Sequence, residues 1–81
     1  MEVIMYTKTP CGACDTVEML LKQRNVEVIK KDILADEQAF QEVIALGFSG
    51  VPVVVTSDQS VPPFLGVDVR AIEQVAKSYH S

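Results

Sequence analysis

Two cysteines three residues apart, in Cys11-Gly12-Ala13-Cys14, are the one constellation in this sequence that carries chemistry. A C-x-x-C pair can exchange disulfides or hold a metal, and its surroundings decide which. Here it follows a short apolar run, Val3-Ile4-Met5-Tyr6, and a loop, Thr7-Lys8-Thr9-Pro10, and it opens a stretch with helical periodicity. Unpaired backbone N–H groups and the macrodipole at a helix start favour negative charge, and Lys8 adds a cation. In the redox reading Cys11 is the reactive thiolate. Cys14, one turn further in, faces the interior and resolves the mixed disulfide. Lowering a thiol pKa from about 8.5 to about 6.5 raises its thiolate fraction at neutral pH about 25-fold, while a Brønsted slope of about 0.45 lowers its nucleophilicity about 8-fold. The net gain in attack is about threefold, so the larger effect is on the leaving group and on the stability of the reduced form.

A metal reading requires more ligands than the pair supplies. A structural zinc takes four, and the only other candidate is His80, beside the C-terminus, so a metal or iron-sulfur carrier would have to be assembled between two chains. The plainest reading is two buried cysteines packing as small hydrophobes. Against it, Pro10 and Gly12 flank Cys11 and the pair opens a helix rather than lying in an apolar stripe.

The elements that position the pair follow from periodicity. Val3 to Tyr6 reads as a first strand. From Gly12 to about Arg24, Ala13, Val17, Leu20 and Leu21 recur at helical spacing, with Asp15 and Glu18 early and Lys22 and Arg24 late, the charge order a helix favours. Val26-Glu27-Val28-Ile29 reads as a second strand. Phe40, Val43, Ile44 and Leu46 mark a second helix that begins near Asp36 and stops at Gly47. Val51 to Thr56 is a β-branched strand, turning through Ser57-Asp58-Gln59-Ser60 into a shorter extended piece near Phe64. Asp68 caps a last helix with Val69, Ile72, Val75, Ala76 and Tyr79 on one stripe. The expected fold is α/β, βαβαββα: a mixed four-stranded sheet, its first two strands parallel, with three helices on its two faces.

With 81 residues the chain has material for one domain, spanning 1–81. Seven Lys plus Arg against eleven Asp plus Glu give a net charge of −4, the wrong sign for holding nucleic acid. No apolar run approaches the roughly 20 residues of a membrane span. The opening Met1-Glu2-Val3-Ile4-Met5 lacks the basic and long apolar segments of a secretion signal. A cytoplasmic monomer is expected, and a structural disulfide is rare in that reducing compartment.

Two further segments are candidates. Proline is excluded from the middle of a central strand, so Pro52 must begin one. A trans bond would simply start the strand. A cis Val51–Pro52 bond would turn the Val51 N–H and C=O outward for a peptide-like substrate. Gly66-Val67-Asp68 reads as a turn glycine and an N-cap, or as backbone N–H groups for a carboxylate with Asp68 for an ammonium. Lys8 is a solvated loop lysine or a substrate contact. Phe64 with Pro62-Pro63 is a partner-binding lip or a loop packed on its own sheet.

Tyr6-Thr7-Lys8-Thr9-Pro10-Cys11-Gly12-Ala13-Cys14, then Gly50-Val51-Pro52-Val53, then Gly66-Val67-Asp68 together resemble the glutaredoxin-like proteins of the thioredoxin superfamily along essentially the whole chain. The resemblance implies a thioredoxin-like fold, a cis Pro52 facing the dithiol, Cys11 attacking and Cys14 resolving. It also implies substrate contacts at Lys8, Gly12, Ala13, Val51, Pro52, Gly66, Val67 and Asp68. No tightly bound cofactor is expected beyond the redox-active disulfide. Ordinary glutaredoxins carry Cys-Pro-Tyr-Cys and a Gly-Gly pair before the aspartate; here Gly12-Ala13 and Leu65 replace them. The segment Gly47 to Val54 is similar to NrdH-type redoxins, which take electrons from thioredoxin reductase and pass them to ribonucleotide reductase. That subgroup implies a thiol-disulfide oxidoreductase serving a disulfide-bearing protein. A glutathione-dependent glutaredoxin, with glutathione as co-substrate, is the alternative.

Overall fold

A computed structural model describes residues 1–81. In chain order the elements are β1 (Val3–Thr7), α1 (Gly12–Gln23), β2 (Val28–Asp32), α2 (Glu37–Ala45), β3 (Val53–Thr56), β4 (Phe64–Leu65) and α3 (Val69–Tyr79). They form one sheet of order β2-β1-β3-β4, with β1 parallel to β2 and β3 antiparallel to both β1 and β4. The expected βαβαββα architecture is the one observed.

Strand alternation divides the interior in two. Val3, Met5 and Val54 point to one face, where they join Cys14, Val17 and Leu21 of α1 and Ile72 and Val75 of α3 in a buried cluster of ten residues. Tyr6 and Val53 point to the other face and meet Ala39 and Val43 of α2. Cys14, Val17 and Leu21 recur at spacings of three and four, which turns one side of α1 onto the sheet. At a generic 25 cal/mol per Å2 each such aliphatic side chain stabilises the fold by about 2 kcal/mol.

Boundaries or stripes differ from the sequence reading at four elements. β2 runs from Val28 to Asp32, two residues later than Val26 to Ile29. Register with β1 pairs Val3 with Val28 and Thr7 with Asp32. As an edge strand, β2 tolerates Lys30 and Lys31, and Val26 is buried in the connecting turn instead. β3 starts at Val53, leaving Val51 and Pro52 in the approach to the strand. On α2 the buried residues are Ala39 and Val43, whereas Phe40, Ile44 and Leu46 are exposed, and on α3 Val69 is exposed too. A single short helix covers that sheet face, so a periodic apolar set wider than the contact leaves most of itself in solvent.

Ends of the helices are set as the cap residues suggest. Asp36 accepts from the Gln38 and Ala39 N–H groups, and Asp68 from that of Ala71. Gly47, at φ +91°, ends the α2 region in a conformation other residues rarely adopt. His80, the C-cap of α3, places Nε2 at 2.8 Å from the Arg24 carbonyl, tying the end of α3 to the end of α1.

Candidate active site

Cys11 occupies the N-cap of α1, with extended backbone (φ −157°, ψ 106°) and a sulfur that accepts the Cys14 N–H at 3.1 Å. A cap normally presents Ser, Thr, Asp or Asn oxygen to this orphan donor, so sulfur here takes the position where the helix start most favours an anion. Cys11 is half-buried, whereas Cys14 is 1% exposed and forms part of the larger core. The two are joined as a disulfide, their Cα atoms 5.3 Å apart. One sulfur is reachable and the other screened, an asymmetry exchange chemistry uses.

Three segments meet at the end of the sheet from which β1 leads to Cys11. The pairing of Tyr6 with Val53, continued one step, sets Pro52 beside Thr7. The Pro52 carbonyl accepts the Gly66 N–H at 2.9 Å, bringing the Gly66-Val67-Asp68 turn to the same end. Gly66 has φ +85°, the conformation that turns the chain from β4 into α3. The Val51–Pro52 bond is cis, the form implied by the resemblance, and so is Thr9–Pro10, which sequence alone did not single out. Val51 packs against both core clusters, and neither its N–H nor its C=O has a hydrogen-bond partner within the molecule. Its backbone donor and acceptor are therefore left unpaired by the fold.

Of the remaining sequence candidates, Gly12 and Ala13 are exposed on the first turn of α1. Lys8 lines a cleft of about 290 Å3 that also contains Cys11. Val51, Pro52, Gly66, Val67 and Asp68 are not in its wall. The Asp68 carboxylate is engaged by the Ala71 N–H at 3.1 Å, the structural half of its two readings. Pro62 and Pro63 are exposed and border a separate cavity of about 660 Å3 under α2, while Phe64 packs onto the larger core. No group of three or more His, Cys, Asp or Glu side chains converges as a metal site.

Residues the sequence reading did not single out for the site are the charged ones around Cys11: Asp15 and Glu18 from α1, and Lys30 and Asp32 from β2. Asp15 carried a legible signal, since a residue four after a helix N-cap shares its side of the first turn. Lys30 and Asp32 carried none, because they reach the site only through the pairing of the later-placed β2 with β1.

Known structures share this fold. NrdH-redoxin from Escherichia coli superposes with a TM-score of 0.83 at 21% identity, covering 93% of this chain and 95% of that one. A thioredoxin-like protein gives 0.80 at 24% identity (91% and 99% coverage). Glutaredoxin grx-1 from Archaeoglobus fulgidus gives 0.74 at 26% identity (90% and 83%). No curated protein sequence matches the chain. The glutaredoxin family model matches residues 3–61, which contain the dithiol, the Val51-Pro52 segment and three of the four strands. With its Cys11–Cys14 disulfide at the head of α1, this chain belongs to the glutaredoxin family and is a thiol-disulfide oxidoreductase.

Proposed function

We propose that the chain is a dithiol electron donor of the NrdH type, regenerated by thioredoxin reductase and reducing a protein disulfide such as that of ribonucleotide reductase, in the cytoplasm. The observation that carries this reading is the placement of an accessible sulfur at the α1 N-cap with a buried partner one turn behind it. The Cys11 thiolate attacks one sulfur of the partner disulfide, forming a Cys11–partner bond and expelling one partner thiolate, which takes up a proton. Cys14 then loses its proton and attacks the Cys11 sulfur. The Cys11–Cys14 bond forms, the second partner thiolate leaves, and two electrons have passed from the dithiol to the partner.

Leu65 and the Gly12-Ala13 pair support this over the glutathione-dependent alternative. Leu65 is about half-exposed beside Gly50, where a bare glycine would leave room for a tripeptide, and its aliphatic surface suits a protein segment. The Val51 backbone groups supply the ladder such a segment needs. Lys8, free in the cleft beside Cys11, favours the second reading, because a small anionic thiol would meet it there.

The deciding experiment supplies oxidised protein with NADPH and either thioredoxin reductase or glutathione plus glutathione reductase, and follows NADPH consumption. Turnover with thioredoxin reductase alone is the expected result. Turnover only with glutathione assigns the chain to the glutathione-dependent class.

A further inference from the structure

The cleft at Cys11 is lined by five charged side chains, and three are already engaged. Glu18 pairs with Lys30 at 3.3 Å. The Asp32 carboxylate accepts the Leu34 and Ala35 N–H groups at 2.8 and 3.3 Å and faces the Thr9 hydroxyl at 3.4 Å. From the α3 side the acid is Asp68, already engaged by its own helix. Lys8 and Asp15 have no ion-pair or side-chain hydrogen-bond partner, and both lie on the wall that holds Cys11. Asp15 is fixed relative to Cys11 by the bond its N–H donates to the Cys11 carbonyl at 3.2 Å, so the two side chains stand one helical turn apart. At that spacing the Cβ atoms are about 6 Å from each other, within reach of a charge effect at a partly exposed site.

The helix N-terminus, equivalent to about half a positive charge, and Lys8 both stabilise a thiolate on Cys11. Alone they would make the dithiol form too stable for a good donor, since an over-stabilised reduced state turns such a pair into an oxidant. We propose that Asp15 is a positioning residue that sets this balance: its unpaired carboxylate opposes the helix terminus and Lys8, raises the free energy of the Cys11 thiolate, and poises the pair toward giving up electrons. This rests on Cys11 being the attacking thiol. The exchange is the two-electron reaction already written; Asp15 changes the free energy of the reduced dithiol and takes part in no bond.

The test compares the full chain with Asp15→Asn and Asp15→Glu. Cys11 is titrated through its thiolate ultraviolet absorbance in a Cys14→Ser background, and the dithiol is equilibrated against glutathione redox buffers with both cysteines present. Asp15→Asn is expected to lower the Cys11 pKa by about half a unit, a threefold change in the thiolate-to-thiol ratio. The exchange equilibrium shifts toward reduced protein by up to about threefold, about 14 mV at 29.6 mV per tenfold. Asp15→Glu titrates as the parent does, and raising the salt narrows the gap between Asp15→Asn and the parent. Coincident titrations of Asp15→Asn and the parent overturn the proposal, as does an equal shift in Asp15→Glu, which would mark a role in helix geometry instead. Disulfide exchange by a Cys11→Ser variant would overturn the reading beneath it, an outcome distinct from unchanged titration in a protein whose exchange is intact.

Discussion

The two faces of the sheet are built to different standards. Under α1 and α3 lie ten buried side chains, Cys14 among them, with one polar contact of note, the Thr56 hydroxyl against the backbone of Val61. Under α2 lie four, bordered by a polar bridge in which the Tyr6 hydroxyl donates to Glu42 at 2.8 Å and Lys31 holds the same carboxylate at 3.3 Å. Beside that bridge, Val55 and the exposed Leu46 line the cavity of about 660 Å3. The dithiol is tied to the drier face. A resolving sulfur needs a fixed position and protection from outside reagents, and dense apolar packing supplies both.

The sharpest break of that comparison lies within the cysteine pair. Cys11→Ser is expected to abolish disulfide exchange, a loss of several orders of magnitude, because the one thiol left, Cys14, is buried in the core and out of a partner's reach. Cys14→Ser leaves the first attack intact and accumulates a covalent complex with the partner, visible by non-reducing electrophoresis and mass spectrometry. Both variants losing all reactivity, with no trapped complex, would show that the buried sulfur does more than resolve.

A second break concerns stability. Leu21, fully buried in the larger cluster, should cost about 3 kcal/mol when replaced by Ala, since the removed methyl groups leave a cavity that dense packing cannot fill. Ile44 on α2 is 45% exposed, and Ile44→Ala should cost less than about 1 kcal/mol. Urea denaturation of both variants measures the difference through the midpoint, with the slope as a check that the denatured state is unchanged. Equal costs would mean that α2 is held as tightly as α1, and the contrast between the faces would fail.

How far these features were legible in the sequence depended on whether the signal was local. The dithiol, its helix and the Asp36 and Asp68 caps were readable because cap chemistry and 3.6-residue periodicity act over a few residues. The order of elements was readable because β-branched runs and turn residues punctuate the chain. The extent of β2 was not, since Lys30, Lys31 and Asp32 look like a loop until pairing with β1 draws them in. Nor was the exposure of Phe40 and Ile44, which depends on how much of the sheet one nine-residue helix can cover. The charged surroundings of Cys11 were half legible: Asp15 through its place in the first turn, Lys30 and Asp32 only through strand register. The Tyr6–Glu42–Lys31 bridge, joining residues from three elements, left no trace at all in the spacing.

That bridge gives the smallest and most specific prediction. Burial and the Glu42 carboxylate push the Tyr6 pKa up to about 12. Hydrogen bonds from Tyr6 and then Lys31 hold Glu42 below its ordinary value. The signs differ at the two ends of the pH scale. The folded Tyr6 pKa is raised, so its contribution is whole below about pH 10 and is lost as pH climbs through about 12. The folded Glu42 pKa is lowered, so its contribution is whole above the ordinary carboxylate range and is lost as pH falls through the folded value. Tyr6→Phe keeps the ring against Val53 and removes only the hydroxyl. At neutral pH it should cost about 1 kcal/mol, the discount from a full charged hydrogen bond reflecting a carboxylate side chain one-third exposed. In a domain of this size that is a fall in Tm of about 4–8 °C. The variant's deficit should shrink toward both pH extremes, where the parent loses the bond as well. A deficit that stays constant across the whole range would mean that the hydroxyl contributes through packing alone, and the polar seam would then no longer separate the α2 face from its drier counterpart.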